Sequence, residues 1–396
     1  MSFIDDIIKD ETLRREHFPV VEHQIYMAHA GTTPLPKAAG DALRLYADET
    51  EVGQQETKEQ LERVRETRER AAQLIGANAN EIALLGPTAV GLSLVALGLD
   101  WQPEDEVVCY FDDYATNVVS WVALEDRGVR PVYLQPEHTG VITWEIVEAA
   151  LTPKTKLVAL ASCHFLSGYR IDLNTIGRNL RDRGVLFCVD GIQTVGAFPT
   201  PVEYVDFMSA DSHKWMLGPA AAGILYVRKE VQHQLKPALL GKYNVQTTDF
   251  LAQKDRKYFL GGPRYEPGIL NLPGIMGMHA SLGLLLDAGT DAIASRLLEL
   301  RAHVLERLRP MGYRLYLEKL DGDPVMDGSE SAILSFSHPD QDLGAVYQRL
   351  VEEGVAASHR RNRDGVDFLR LSPHFYNTFE EIDRVASLLS FWEKRK

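Results

Sequence analysis

The chain has 396 residues, enough for one large domain and a smaller companion. Hydrophobic content of 45% and charged content of 25% are those of an ordinary globular protein. A formal charge of −14, with no basic run or basic–aromatic stripe, speaks against nucleic acid as a partner, because phosphate neutralisation needs clustered Lys and Arg.

The opening MSFIDDIIKDE has neither the positive n-region nor the long apolar h-region of a secretory signal. No apolar run reaches the length of a membrane span. Cys109, Cys163 and Cys188 each sit in or at the end of an apolar run, which reads as reduced, buried thiols. Together these features predict a cytoplasmic protein with no membrane partner. Residues 1–36 read as an irregular arm. Two helical patterns follow, the second near Gln54 to Ile75 with Leu61, Val64, Ala71, Leu74 and Ile75 on one face.

From about residue 81 strands and helices alternate. EIALLG, EVVCYF, VRPVYL, TKLVALASC, VLFCVD, VDFMSA and GILYVR read as strands, with helical stretches between several of them. Near-continuous apolar strands separated by amphipathic helices predict an α/β fold around a mainly parallel sheet covered on both faces. A large domain over 37–283 is expected. Beyond it, a long helix (Ala288 to Leu308), the strands YRLYL, AILSFS, VAASH and VDFLRLS, and a final helix from Glu380 predict a small α+β domain over 284–396, against which the arm can pack.

In open parallel sheets the chemistry gathers at the carboxyl ends of the strands. VLFCVD ends in Asp190, with Gln193 three residues on and Lys214, in SADSHKWMLGP, 24 residues on. Taken singly, Asp190 reads equally as a turn residue, Lys214 as a solvated loop lysine and Thr88 as a helix N-cap. Taken together they suit pyridoxal phosphate (PLP). An amine forms a Schiff base with its aldehyde, a carboxylate keeps the pyridine nitrogen protonated, and a helix N-terminus after IALLG receives its phosphate.

At these residues the sequence resembles a known family. The run from Thr155 to Glu230, with CHFLSGYRIDL, FCVDGIQTVGAFP and SADSHKWMLGPAAAGILYV, resembles the class V aminotransferases, fold-type-I PLP enzymes that include cysteine desulfurases, C–S lyases and isopenicillin-N-epimerase-like proteins. YMAHAGTTPLP, DDYATNVVSW, RYEPGILNLPGIMG and FLRLSPHFYNTFEEID extend the resemblance over nearly the whole chain. It implies that Lys214 carries the Schiff base, Asp190 pairs with the ring nitrogen and Gln193 contacts the ring hydroxyl. Tyr114 would stack on the ring, where many relatives have histidine. Thr88, Ala89 and His213 would hold the phosphate. Gly268 and Ile269 lie in a stretch that relatives lend across a homodimer interface. Arg370 would clamp the substrate carboxylate, a bidentate task lysine cannot perform.

Three positions depart from the family pattern: Ala89 replaces a usual hydroxyl residue, Ile269 a frequent threonine and Asp211 a frequent serine. The segment AASHRRNRDGVD, read as a loop, contains no cysteine, so a persulfide-type desulfurase is disfavoured. It offers His359, Arg360, Arg361 and Arg363. These read either as a solvated basic turn or as contacts to a polar or acidic substrate side chain, with His359 and Arg361 as the candidates chosen. His164 is expected near the cofactor's reactive carbon, although a structural histidine reads almost as well. The expected function is α-carbon chemistry on a small amino-acid substrate, of aminotransferase type. A β-eliminating C–S lyase or an epimerase is the alternative, and a non-catalytic binding protein is less favoured. No metal is expected.

Overall fold

A computed structural model describes residues 3–247, 251–252, 254–320 and 323–390. The extreme ends of the expected arm and of the expected C-terminal domain (residues 1–2 and 391–396) lie outside the described residues.

The arm is more regular than its prolines suggest. It forms the helices α1 (Phe3–Lys9) and α2 (Glu11–His17), the second capped by the Asp10 carboxylate accepting from the Thr12 and Leu13 amides. The short strand β1 (Ile25–Tyr26) follows, then α3 (Lys37–Glu51) and α4 (Lys58–Ile75). On α4, Val64, Ala71, Leu74 and Ile75 are buried as their spacing requires, whereas Leu61 is exposed.

The strands β2 (Ile82–Leu85), β3 (Glu106–Cys109), β4 (Arg130–Tyr133), β5 (Thr155–Ala161), β6 (Leu186–Asp190), β7 (Phe207–Asp211) and β8 (Gly223–Val227) form one sheet. Among the described residues it has seven strands in the order β2-β8-β7-β6-β5-β3-β4. Only β8, paired with β2 and β7, runs antiparallel to its neighbours. The fold is α/β. Alternation divides the strand residues between two cores: Val108, Val158, Leu160, Phe187 and Val189 on one face, and Val107, Leu157, Ala159, Cys188 and Phe207 on the other.

Helices α5 (Thr88–Gly98), α6 (Thr116–Val122), α7 (Trp144–Ala150) and α8 (Leu173–Asp182) lie between the strands. α5 is apolar nearly all round and packs close to β7. A Cβ on Gly91 would stand 2.2 Å from Ser209 Oγ, so this contact depends on glycine.

α9 (Leu272–Ala288) and α10 (Thr290–Leu308) replace the single helix expected from Ala288. Gly289, with φ 80°, turns the chain between them. Gly283, the expected end of the large domain, lies within α9.

A second sheet of order β12-β13-β10-β9 contains β9 (Arg314–Leu315), β10 (Leu334–Ser337), β12 (Ser358–Arg361) and β13 (Asp367–Leu371). β11 (Val355–Ala356) pairs in parallel with β1 instead, and Ala28 bridges to Ser372. α11 (Leu343–Glu352) and α12 (Phe379–Ser390) complete this part. Arg14 ties the arm to it, donating to the Tyr376 carbonyl and pairing with Glu381 at 2.8 Å. No helix among the described residues is long and apolar enough to cross a membrane.

Candidate active site

The ends of β6 and β7 open into a cavity of about 750 Å³, walled on the other side by the arm and by β12–β13. Lys214, Asp190, Gln193, Tyr114, Thr88, Ala89, His213 and Arg370 all line it. Residues scattered from 88 to 370 converge because four elements end at the same place.

Asp190 is the last residue of β6 and is buried. Its Oδ1 accepts from the Ile192 amide at 3.0 Å, and Oδ2 accepts from nothing among the described residues. Burial pushes its carboxyl up to about 6, with the Ile192 amide and the Lys214 charge partly opposing. It is still mostly ionised at neutral pH.

Lys214 follows β7 through a short turn, and 7% of its surface is exposed. Its Nζ stands 5.4 Å from the centre of the Tyr114 ring and makes no hydrogen bond or ion pair among the described residues. Burial lowers its ammonium to about 8; Asp190 acts against that shift, and Arg370 and Arg360 reinforce it. The neutral, nucleophilic amine is therefore reached at a lower pH than in an ordinary lysine.

Gln193 is fixed from two sides: its Nε2 donates to the Ala30 carbonyl at 3.1 Å, and its Oε1 accepts from Trp215 Nε1 at 2.9 Å. Thr88 opens α5 and its Oγ1 accepts from the Asp211 amide at 2.9 Å, joining the helix start to the end of β7. The Val90 amide donates to the Pro87 carbonyl at 2.8 Å, which leaves the Thr88 and Ala89 amides at the start of α5 without a helical acceptor, as donors suited to an anion. Asp211 has a visible task. Its Oδ2 accepts from the Ala221 amide at 3.1 Å and pairs with His213 Nδ1, holding the imidazole at the cavity wall. The carboxylate that departs from the family pattern thus orients a neighbouring side chain.

Arg370 lies on β13 with 2% of its surface exposed. Nη1 donates to the Phe165 carbonyl at 2.7 Å, while Nε and Nη2 are buried without partners. Burial, then the nearby Arg360 charge, lowers it to about 9. Two unsatisfied donors on a buried guanidinium are costly unless an acceptor arrives.

Four expected residues stand elsewhere. His164 is not in the cavity wall: one ring nitrogen contacts Ser167 Oγ and the other the Asp112 carbonyl, each at 3.0 Å. Its neighbour Phe165 lines the cavity instead. His359 and Arg361 also face away, because Ser358–Arg361 is a strand and not part of a loop. Both meet Asp367, His359 Nε2 at 3.1 Å and Arg361 Nε at 2.9 Å. Arg363 pairs with Asp112 at 2.6 Å. On a strand the side chains alternate, so Ser358 and Arg360 are the ones at the cavity. The pairing of Ser358 with Arg370 is what puts Arg360, and not His359 or Arg361, on the cavity face. Ile269 is 69% exposed and does not line this chain's cavity. Among the described residues no cluster of His, Cys, Asp or Glu could hold a metal.

The residues present fit PLP: an amine with a lowered pKa, a buried carboxylate with a vacant oxygen, an aromatic ring beside the amine and a helix start for the phosphate. Sequence comparison agrees. Residues 25–385 match the family described as Aminotransferase class-V, and the chain belongs to that family. It is a PLP-dependent enzyme.

A protein named as a probable cysteine desulfurase from Methanothermobacter thermautotrophicus is 28% identical, over 96% of this chain and 98% of its own. The apo structure of a cysteine desulfurase from Thermococcus onnurineus NA1 superposes with a TM-score of 0.87 at 22% identity, covering 97% and 98% of the two chains. The cystine C-S lyase C-DES, solved with cysteine persulfide, gives 0.83 at 21% identity, covering 94% of this chain and 99% of its own. These relatives do not bear out the expectation that desulfurase chemistry is disfavoured.

Proposed function

We propose that this enzyme acts at the α-carbon of an amino acid, with Lys214 as both the cofactor's anchor and the proton-transferring base. The observation that carries this reading is the convergence of Lys214, Asp190 and the half-satisfied Arg370 on one cavity. When bound, the cofactor supplies an aldehyde that joins amines and a ring that accepts the electron pair released from the α-carbon. Asp190 Oδ2 is the group suited to the ring nitrogen's proton. Tyr114 would cover the ring, Gln193 would reach its hydroxyl, and Thr88, Ala89 and His213 would hold the phosphate.

Arg370 would take the substrate carboxylate on its two free donors and so fix which substituent of the α-carbon faces Lys214. With the cofactor bound, Lys214 would be the group placed to accept the α-proton, and its lowered pKa brings that proton transfer closer to neutral pH than an ordinary lysine would allow. Phe165 and Tyr114 form the aromatic part of the cavity wall. Of the reactions open after proton removal, transamination is the one we assign. The test is to add amino acids singly to the PLP-loaded protein without a keto acid. Transamination bleaches the visible band until a keto acid restores it, whereas unaided recovery of the band contradicts it.

The likeness to proteins named cysteine desulfurases favours carbon–sulfur chemistry as a second reading. Product analysis with cysteine or cystine separates the cases: alanine marks desulfuration, and pyruvate marks β-elimination. We further propose a homodimer, supported by the exposed apolar residues Leu240, Phe259, Leu260 and Ile269. Light scattering in solution would report the mass of two chains. A single-chain mass at micromolar concentration would contradict it.

A further inference from the structure

The cavity carries a second guanidinium that α-carbon chemistry on a simple amino acid does not use. In the antiparallel pair β12–β13, Ser358 faces Arg370 and Arg360 faces Phe368. Directly paired residues share a sheet face, as do residues two apart, so Arg360 and Arg370 project from the same face. Both line the cavity. Gly31 shows how near they come. The position a Cβ would occupy there is 3.7 Å from Arg370 Nη2 and 3.9 Å from Arg360 Nη2. The missing side chain leaves the two cations facing one gap, within the reach of a single small molecule.

On the opposite face of the strand His359 and Arg361 both lie against Asp367, and Arg363, in the turn beyond β12, pairs with Asp112. Arg360 has no acidic partner among the described residues. Of the side chains lining the cavity Asp190 is the single carboxylate, against Lys214, Arg360 and Arg370, in a chain whose formal charge is −14. Like charges placed together repel, and burial strengthens the repulsion. Such an arrangement is stabilised by a ligand that brings two negative groups.

We propose that the substrate is an amino acid with an anionic side chain, whose second acidic group is held by Arg360 while Arg370 holds the α-carboxylate. This rests on the α-carbon reading above and narrows it to a substrate class: dicarboxylic amino acids or their sulfur-oxyacid counterparts. The α-carboxylate belongs to Arg370 because its buried Nε and Nη2 form a preorganised pair. Arg360, more exposed at the cavity rim, can follow a side chain of variable length.

The test uses the PLP-loaded protein and unreactive probes that lack an amine. Succinate and glutarate are titrated calorimetrically against butyrate and valerate, their chain-matched monoacids. The diacids should bind at least about 10-fold more tightly, since a hydrogen-bonded charge pair typically contributes about 10- to 100-fold. Arg360→Gln should erase that preference while leaving the monoacids bound, and Arg370→Gln should weaken both classes. Equal affinities in the unaltered protein would overturn the proposal. So would an Arg360→Gln variant that loses both classes equally, or one that releases the cofactor, which would make Arg360 a cofactor ligand. Spectral titration with aspartate and glutamate against asparagine and glutamine distinguishes the two levels. If no amino acid perturbs the band, the α-carbon reading fails and this one with it. If the neutral amino acids perturb it as readily as the acidic ones, this one alone fails.

Discussion

Trp215 Nε1 donates to Gln193 Oε1 at 2.9 Å, and this bond ties together the two strand ends that carry the chemistry. Trp215 follows Lys214 and is almost wholly buried; Gln193 stands three residues after Asp190. Gln193 in turn holds the arm through the Ala30 carbonyl. One indole proton therefore links lysine, carboxylate and arm.

Replacing that donor tests the link. Trp215→Phe leaves the Gln193 carbonyl buried without a partner, a loss of about 1–3 kcal/mol. Gln193 would then be freer to turn, and cofactor affinity should fall several-fold. Chemical denaturation of the apoprotein and a PLP titration measure the two effects. Unchanged affinity together with lowered stability would restrict the bond to a structural role.

The pH dependence of the apoprotein follows from two shifted groups. Asp190 titrates near 6, above an unfolded carboxylate, so stability present below about 4 is lost as the pH rises through 6. Lys214 titrates near 8, below an unfolded lysine, so stability present above about 10.5 is lost as the pH falls through 8. Both penalties act between about pH 6 and 8, where the apoprotein should be least stable of the range from 4 to 10. Asp190→Asn removes the first and should stabilise the apoprotein at pH 7 by about 1–3 kcal/mol, while abolishing turnover. Urea melts across the pH series check this. A destabilised Asn variant would mean that the carboxylate is already paired.

The three cysteines should resist alkylation in the native protein. All are buried, and burial pushes Cys109 up to about 12 and Cys163 up to about 11, with Cys188 also raised. Iodoacetamide at pH 8 followed by mass spectrometry should find them unmodified until denaturant is added. Rapid native labelling of any one would show an accessible thiol able to carry sulfur.

Asp211→Asn should weaken cofactor binding through His213. The carboxylate pairs with the imidazole Nδ1 and the Ala221 amide, and an amide cannot reproduce the charge-assisted contact. A several-fold rise in the PLP dissociation constant is expected, with inorganic phosphate competing less well at the same site. A variant that binds PLP as tightly as the unaltered protein would contradict the positioning role.

Much of this site was legible in the sequence, and the exceptions have physical reasons. The central strands announce themselves because both faces are buried, making their residues continuously apolar. Asp190 and Lys214 then stand out as charges at the ends of such runs. The β12–β13 hairpin is legible only in part: VDFLRLS covers β13 and VAASH reaches the first two residues of β12, but Arg360 and Arg361 fall in the stretch read as a loop. HRRNRDG is wholly polar, so no apolar period carries the strand on to Arg361, and the alternation that separates Arg360 from His359 and Arg361 goes unseen. His164 lies close to the site in sequence, but only the fold shows that Ser167 and Asp112 occupy its ring and that Phe165 takes the wall. α1 and α2 are obscured by their shortness and by the prolines downstream.

The central claim, that Lys214 carries the cofactor, is tested most directly by trapping the bond. The PLP-loaded protein is treated with borohydride, digested and mapped by mass spectrometry. A pyridoxyl group on Lys214, absent from Lys214→Ala together with the visible band, is the predicted result. A label on another lysine, or a colourless protein that takes up no PLP, would contradict the account.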